Sequence, residues 1–589
     1  MNFRDFCYSH FKWIGHKLFT VFPKIGSDLE AADMKFHPEV YFSIIGFITL
    51  LTFPIPFILF FFIFTNLLPK FPIPILGGYN IAYLSLLIPL IIVLVGLLLP
   101  KLSASNRISG LKIEIPYTSM YVSVMTSGGL SPYRSLLRLR KIDLLPNMQR
   151  EVSRIQGIAM SMGVDPLTAM EKAAKVVNLS DYKELLLGYA SSIRGGGDTL
   201  HYLFTQTENM FKSLSTRIKA LGESMAALME TYTIVGILGV LGVFLIFIVG
   251  LTLPGAGSGF SQQEFFLFSY ILLPLMSVLF LYFGDAIQIS YPVSNYTTYK
   301  YLAIFFPFGL FLGTQLVLPF FDSGFLLIPQ LSNLVISIRT LLNFAEGTEA
   351  AIGLMLTLTL ISLPGLLADH HYMGREGKLQ QGVTLFLRDL VEARKSGLSP
   401  ERCIESLASR DYKSFSKHLK IINMKLRWGK PMREIYNDFR KKVKNWTSLI
   451  NIFLLIDTIE VGGGTEESLE TLAKFSETMK QLEEEKKMML RPLMIVPYIG
   501  AAMITASTVM FLQFFTSMSS LGLPVQHVTL YRILLTPLVL HTFVLGLVTG
   551  KMVSGRISAG FKHCIILMLV ALGGIWMVSN ILPSGMGFG

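Results

Sequence analysis

Cysteine is scarce in this chain. Cys7, Cys403 and Cys564 stand far apart in 589 residues. That spacing excludes a disulfide framework and a four-cysteine metal site. Cys403 falls in a polar stretch where a thiol is expected to stay reduced. Catalytic signatures are missing too. No GxxxxGK(S/T) run occurs, which excludes a P-loop for nucleotide. There is no HExxH, and the adjacent His370 and His371 would point to different sides of a helix. A GxSxG elbow is also absent. Asp285 and Asp369 are placed near span ends, as an intramembrane aspartyl peptidase would need, but Tyr282 breaks the GxGD pattern before Asp285. The expectation is a protein that is not an enzyme and holds no cofactor or metal.

Charge is missing from long stretches, and those stretches are apolar. The chain is 52% hydrophobic with a mean hydropathy of +0.54. A hydrocarbon core of about 30 Å needs about 20 apolar residues per helix. Nine stretches qualify, at about 40–66, 80–100, 230–253, 265–283, 301–320, 350–368, 492–516, 531–550 and 563–582. The stretch 324–342 is interrupted by Pro329, Gln330, Asn333 and Arg339, and reads as an interfacial helix in an external loop near 321–349. The predicted fold class is therefore all-α: a polytopic membrane protein with two duplicated helical-bundle domains.

Nine spans with a cytoplasmic N-terminus leave only Lys70, Arg339 and Arg532 outside among 51 Lys and Arg. The short loops agree: 254–264 and 517–530 carry no Lys or Arg, while 551–562 carries three. The expected division is then a cytoplasmic N-terminal segment 1–39, two spans in 40–100, a polar domain 101–229, four spans in 230–368, a second polar domain 369–491 and three spans in 492–589. The C-terminus would lie outside. The first 24 residues mix Phe3, Phe6, Phe11 and Trp13 with Arg4, Lys12, Lys17 and Lys24, as in an amphipathic helix on the inner leaflet.

The basic balance is localised. The first polar domain has 16 basic and 10 acidic residues, the second 23 and 18. Such surfaces suit an acidic protein or anionic membrane lipids. No aromatic–basic platform accompanies the charge, which argues against nucleic acid.

The two polar domains are copies. Gly129-Leu130-Ser131-Pro132 recurs as Gly397-Leu398-Ser399-Pro400. Pro166 and Pro431 each follow a glycine, Gly163 and Gly429. Gly195-Gly196-Gly197 recurs as Gly462-Gly463-Gly464. These offsets are 268, 265 and 267 residues. Ser131 and Asp165 are suited to cap helices that start at Pro132 and Pro166; Ser399 repeats the first device, while Lys430 replaces the aspartate in the second. After the triplets, Asp198 and Thr465 cap long helices that lead toward the membrane. The copied part is read as the soluble module alone, because the spans group unevenly around it.

These residues carry a resemblance. Ser127-Gly128-Gly129-Leu130-Ser131-Pro132, Gly163-Val164-Asp165-Pro166 and Arg194-Gly195-Gly196-Gly197-Asp198, with the second opening Ser396-Gly397-Leu398-Ser399-Pro400, resemble the type II secretion F-domain family over roughly 101–253 and 370–517. Size and span number look most like its archaeal branch, the platform proteins of the archaellum or of archaeal type IV pili. The second copy departs, with Val461 for Arg194 and Thr465 for Asp198. The resemblance implies a platform that docks a cytoplasmic hexameric ATPase, hands pilin-like subunits to a filament and forms a homo-oligomer such as a dimer. Two basic faces are the expected ATPase contacts. One is Arg134, Arg138 and Lys141, at i, i+4 and i+7 on one helix face. The other comprises Lys413, Lys417 and Lys420 with Lys441, Lys442 and Lys444. The competing reading is a transporter or channel, for which His541 is the clear intramembrane ionisable residue.

Overall fold

The computed structural model describes residues 3–32, 34, 36–54, 87–252, 262–288, 291, 296–462, 464–519 and 527–580. All regular structure among them is helical. The chain divides into two compact units, Met1–Phe211 and Lys212–Gly589.

In the first unit, α1 (Phe3–Val21) and α2 (Ile25–Ala31) precede α3 (Pro38–Thr52). Helix α1 packs along α3 through small residues. A Cβ on Gly15 would sit 2.3 Å from Ser43 Oγ, and one on Gly46 would sit 2.6 Å from Ile14. The amphipathic segment expected on the leaflet thus has its own partner helix. Then α4 (Leu87–Ser127) runs 41 residues into the first module. That module continues with α5 (Pro132–Arg138), α6 (Pro146–Met162), α7 (Pro166–Val176) and α8 (Ser180–Arg194). Helices α5, α6 and α8 pack on α4, and α7 packs on α6 and α8; Met148, Val152, Ala173, Leu186 and Tyr121 are all fully buried or nearly so. Each large aliphatic or aromatic side chain buried this way contributes about 1.5–3 kcal/mol.

Helix α9 (Thr199–Thr252) leaves the first module as one unbroken run of 54 residues. The second unit continues with α10 (Gln262–Leu267), joined by a π-turn to α11 (Leu273–Ile287), then α12 (Thr297–Val317) and the short α13 (Pro329–Leu341). Helix α14 (Glu349–Lys395) leads into the second module, which comprises α15 (Pro400–Leu407), α16 (Phe415–Arg427), α17 (Met432–Lys442) and α18 (Trp446–Gly462). Helix α19 (Glu466–Leu490) leaves it, passes a 3₁₀ turn at Arg491–Met494 and becomes α20 (Ile495–Ser519). Helices α21 (His527–Ser554) and α22 (Gly560–Asn580) complete the unit. They approach closely because Gly546 and Gly550 form a GxxxG stripe. A Cβ on Gly550 would lie 2.1 Å from the backbone of Gly560.

Among the described residues, eight helical stretches are long and apolar enough to cross a membrane. They fall on the eight expected spans after the first. The expected span 40–66 begins in α3 and then lies outside the described residues. Helix α13 has 13 residues, about 20 Å at 1.5 Å per residue, and is not among the eight. The chain is a polytopic all-α membrane protein.

The element ends recur through the chain. Ser127 and Lys395 end α4 and α14; Pro132 and Pro400 begin α5 and α15. Thr199 and Glu466 begin α9 and α19, and Ile287 and Ser554 end α11 and α21. Thr297 and Gly560 begin α12 and α22. The repeat therefore extends past the soluble module into the spans, which corrects the expectation that the module alone is copied. Lipid-facing helices accept any apolar residue, so their sequences diverge while their order persists.

Candidate functional site

Two equivalent glycine pairs, and one left-handed glycine in each triplet, set the turns of both modules. Gly129 and Gly397 have φ of +94° and +86°, Gly163 and Gly429 +60° and +70°, and Gly196 and Gly464 +67° and +59°. A left-handed residue is what a helix C-terminus followed by a new helix requires, and glycine adopts it without a Cβ penalty. Of the triplets, Gly195 is right-handed, while Gly197 sits in the turn near the Ser192 carbonyl. Gly462 lies in α18, and Gly463 lies outside the described residues.

The caps hold, with differences. Asp165 accepts from Thr168 N at 3.1 Å, and hydrogen bonds from Thr168 hold its carboxyl below the usual range. Asp198 accepts from Leu200 N and His201 N at 3.0 Å each. Thr465 and Ser399 accept from Ser468 N and Arg402 N at 3.3 and 3.4 Å. Ser131 makes no side-chain cap bond; its carbonyl instead accepts from Ser135 Oγ at 3.2 Å. Pro132 and Pro400 occupy first-turn positions, as does Pro166, but Pro431 is itself the cap residue of α17. Lys430 pairs with Glu434 there.

The first basic face is only partly a single helix face. Helix α5 stops at Arg138, and Lys141 belongs to the 3₁₀ turn Leu139–Lys141. The i, i+4 relation joins Arg134, which is exposed, to Arg138, which is partly buried. The tighter turn ends the regular 100° spacing before Lys141. Arg140 next to it is held by Gln156.

The second face is assembled by tertiary structure. Helices α16 and α17 form an antiparallel hairpin: Lys425 pairs with Asp438, and the His418 ring lies 5.4 Å from Phe439. The open end of that hairpin carries the start of α16 and the end of α17. Lys413, Lys417 and Lys420 therefore come to the same end as Lys441, Lys442 and Lys444, all six exposed. Lys413 has φ +54° in the turn before α16 and donates to Gln381 at 2.6 Å. Lys441 reaches Asp438 at 3.7 Å. The basic last turn of α17 also suits the negative end of its helix dipole. Burial, with Lys442 nearby, holds His418 below the usual histidine range.

Sequence reasoning missed the buried polar network of the first module. Arg107 pairs with Glu151, both buried, and Arg107 also donates to the Ala31 carbonyl at 2.8 Å. Tyr182 donates to Glu151 at 3.4 Å. Glu114 accepts from Met148 N at 2.8 Å and Asn147 Nδ2 at 2.7 Å, capping α6 from a neighbouring helix. One signal was available: Glu114 is the single charge in the stretch 113–133. The second module uses a more open arrangement, in which Asp389 accepts from Tyr412 at 3.0 Å and Arg410 at 3.1 Å.

The two aspartates considered for peptidase chemistry have separate partners. Asp285 pairs with Lys551; Asp369 accepts from Ser558 at 2.7 Å and lies 3.9 Å from Arg556. His541 is buried against α9, with Gly236 its neighbour. No group of His, Cys, Asp and Glu suited to a metal occurs among the described residues.

The geometry defines a class: a polytopic membrane protein in which two like helical modules are each strung between long helices that carry the spans. Comparison with known proteins adds a likeness. Residues 119–247 match the family described as type II secretion system (T2SS), protein F, and residues 386–513 match it again, so the chain carries this domain twice. It is 20% identical over 503 residues, 82% of each chain, to the uncharacterized protein MJ1286 of Methanocaldococcus jannaschii. No solved structure matches it.

Proposed function

We propose that this chain is the membrane platform of a filament-assembly or secretion machine, of the archaellum, type IV pilus or type II secretion kind. Its two modules face the cytoplasm and receive a hexameric ATPase. The protein itself is not an enzyme and needs no cofactor. Its spans present pilin-like subunits to the base of a filament.

One observation carries this reading. Each module is entered and left by a helix that also forms a span: α4 and α9 for the first, α14 and α19–α20 for the second. An α-helix is stiff over such lengths, and one of 54 residues spans about 80 Å. Motion imposed on a module is thus delivered to the membrane rather than absorbed in a loop. The basic ends described above are the ATPase contacts. The test is copurification of the full chain with its cognate ATPase. Reversing Lys417, Lys420 and Lys442 to Glu is expected to weaken retention at least tenfold, and reversing Arg134 and Arg138 to weaken it less. Undiminished retention of both variants would remove the assignment.

A further inference from the structure

Contacts inside the second unit reveal how the two copies meet. Ser215 donates to Glu485 at 3.5 Å. A Cβ on Gly222 would lie 2.8 Å from Met489 Cε, and one on Gly500 would lie 2.7 Å from Thr233 Cγ2. These contacts join α9 to α19 and α20. A second helix pair, α11 with α21, behaves in the same way. Tyr270 bonds Thr536, Asp285 pairs with Lys551, and a Cβ on Gly284 would lie 2.7 Å from Met552 Cε. Gln288 Nε2 lies 3.1 Å from a Cβ built on Gly555.

In every one of these pairs the second residue number exceeds the first by between 266 and 270. That is within one helical turn of the sequence-repeat offset of 265 to 268. Equivalent positions therefore touch each other, in parallel helices, along two separate helix pairs. Residue i meets its own equivalent only beside a two-fold axis. One hydrophobic cluster fills the same region and contains further equivalents, Met229 with Val496 and Leu281 with Val548.

We infer that this chain is an internally fused dimer. Each half is one span, one module and three spans: α4, α9, α11 and α12 in the first, α14, α20, α21 and α22 in the second. The surface that α9 and α11 present is an interaction surface, and the partner it fits is the equivalent surface of the same chain. A second copy is not needed to complete the two-fold pairing. The halves are not identical at the axis. The 3₁₀ turn at Arg491–Met494 lies between the Met489 and Gly500 contacts, whereas α9 is unbroken across the facing residues. The unbroken helix splints the broken one.

This inference goes beyond the platform reading and rests on different contacts, so either can fail alone. The experiment uses the full chain in membranes, whose native cysteines are all buried. A Cβ on Gly222 would be 3.5 Å from Met489 Cβ, within disulfide range. G222C/M489C, carrying a protease site inserted in 289–295, is oxidised and then cleaved. The two fragments are expected to stay joined until reduced, while G222C and M489C alone stay monomeric. Linkage between differently tagged chains, or fragments that separate without reductant, would overturn the inference. A second measurement covers a folding defect: D285K and K551D should each lower accumulation in the membrane, and D285K/K551D should restore it. Failure of the exchange to restore accumulation also counts against the pairing.

Discussion

The two modules share turns and helix order but differ in where they keep their charge. The first buries it: Arg107, Glu114 and Glu151 are all inside, tied to α6, α8 and the end of α2. The second displays it, with six lysines at one end of the α16–α17 hairpin and ion pairs such as Arg427–Glu405 at 2.7 Å on its periphery. A buried ion pair does little for net stability but is costly to break, and it favours one arrangement of helices. An exposed cluster costs little to keep and is free to meet a partner. The comparison points to a first module built for fixed geometry and a second built for contact.

The largest expected effect tests that division directly. E151A leaves Arg107 buried without its carboxylate and should destabilise the first module by about 3–5 kcal/mol. The corresponding change in the second module, D389N, removes only the charge from a partly exposed acceptor and should cost about 1 kcal/mol. Thermal unfolding of the detergent-solubilised chain measures both; equal losses would erase the contrast.

A middle-sized effect tests what the copies share. G129A and G397A each force a side chain into the left-handed region at a cost of about 1–2 kcal/mol. Added Cβ atoms would meet nothing within 4 Å at either position, so strain is the whole effect and the two losses should match. A twofold difference would show that the turns are not equivalent.

The smallest effect is confined to the second module. Burial depresses the folded-state pKa of His418. The unfolded chain takes up that proton first, near pH 6.5. Stability from this group is therefore complete above about pH 6.5 and is lost as pH falls below it toward the folded pKa. H418N should flatten that slope and leave stability at pH 8 unchanged, as read by melting across pH 5–8.

Much of the design is written locally. Gly-Leu-Ser-Pro, the proline after Gly163 or Gly429 and the glycine triplets act within one turn of chain, so their meaning survives without tertiary information. Eight of the apolar stretches could be read the same way, because hydrocarbon demands only length and apolarity. The face predicted from Arg134, Arg138 and Lys141 was less secure, since spacing does not reveal where an α-helix tightens to 3₁₀.

What the sequence determined by itself is thus the all-α membrane character, the duplication and its punctuation, all of which depend on near neighbours along the chain. Only the tertiary structure decided the rest. It brought Lys442 near His418 by closing a hairpin, set Arg107 against Glu151 across 44 residues and paired Asp285 with Lys551 across 266. It also showed that the spans repeat along with the modules. Packing register preserves the old equivalence between halves, while apolar side chains facing lipid interchange too freely for sequence to keep it.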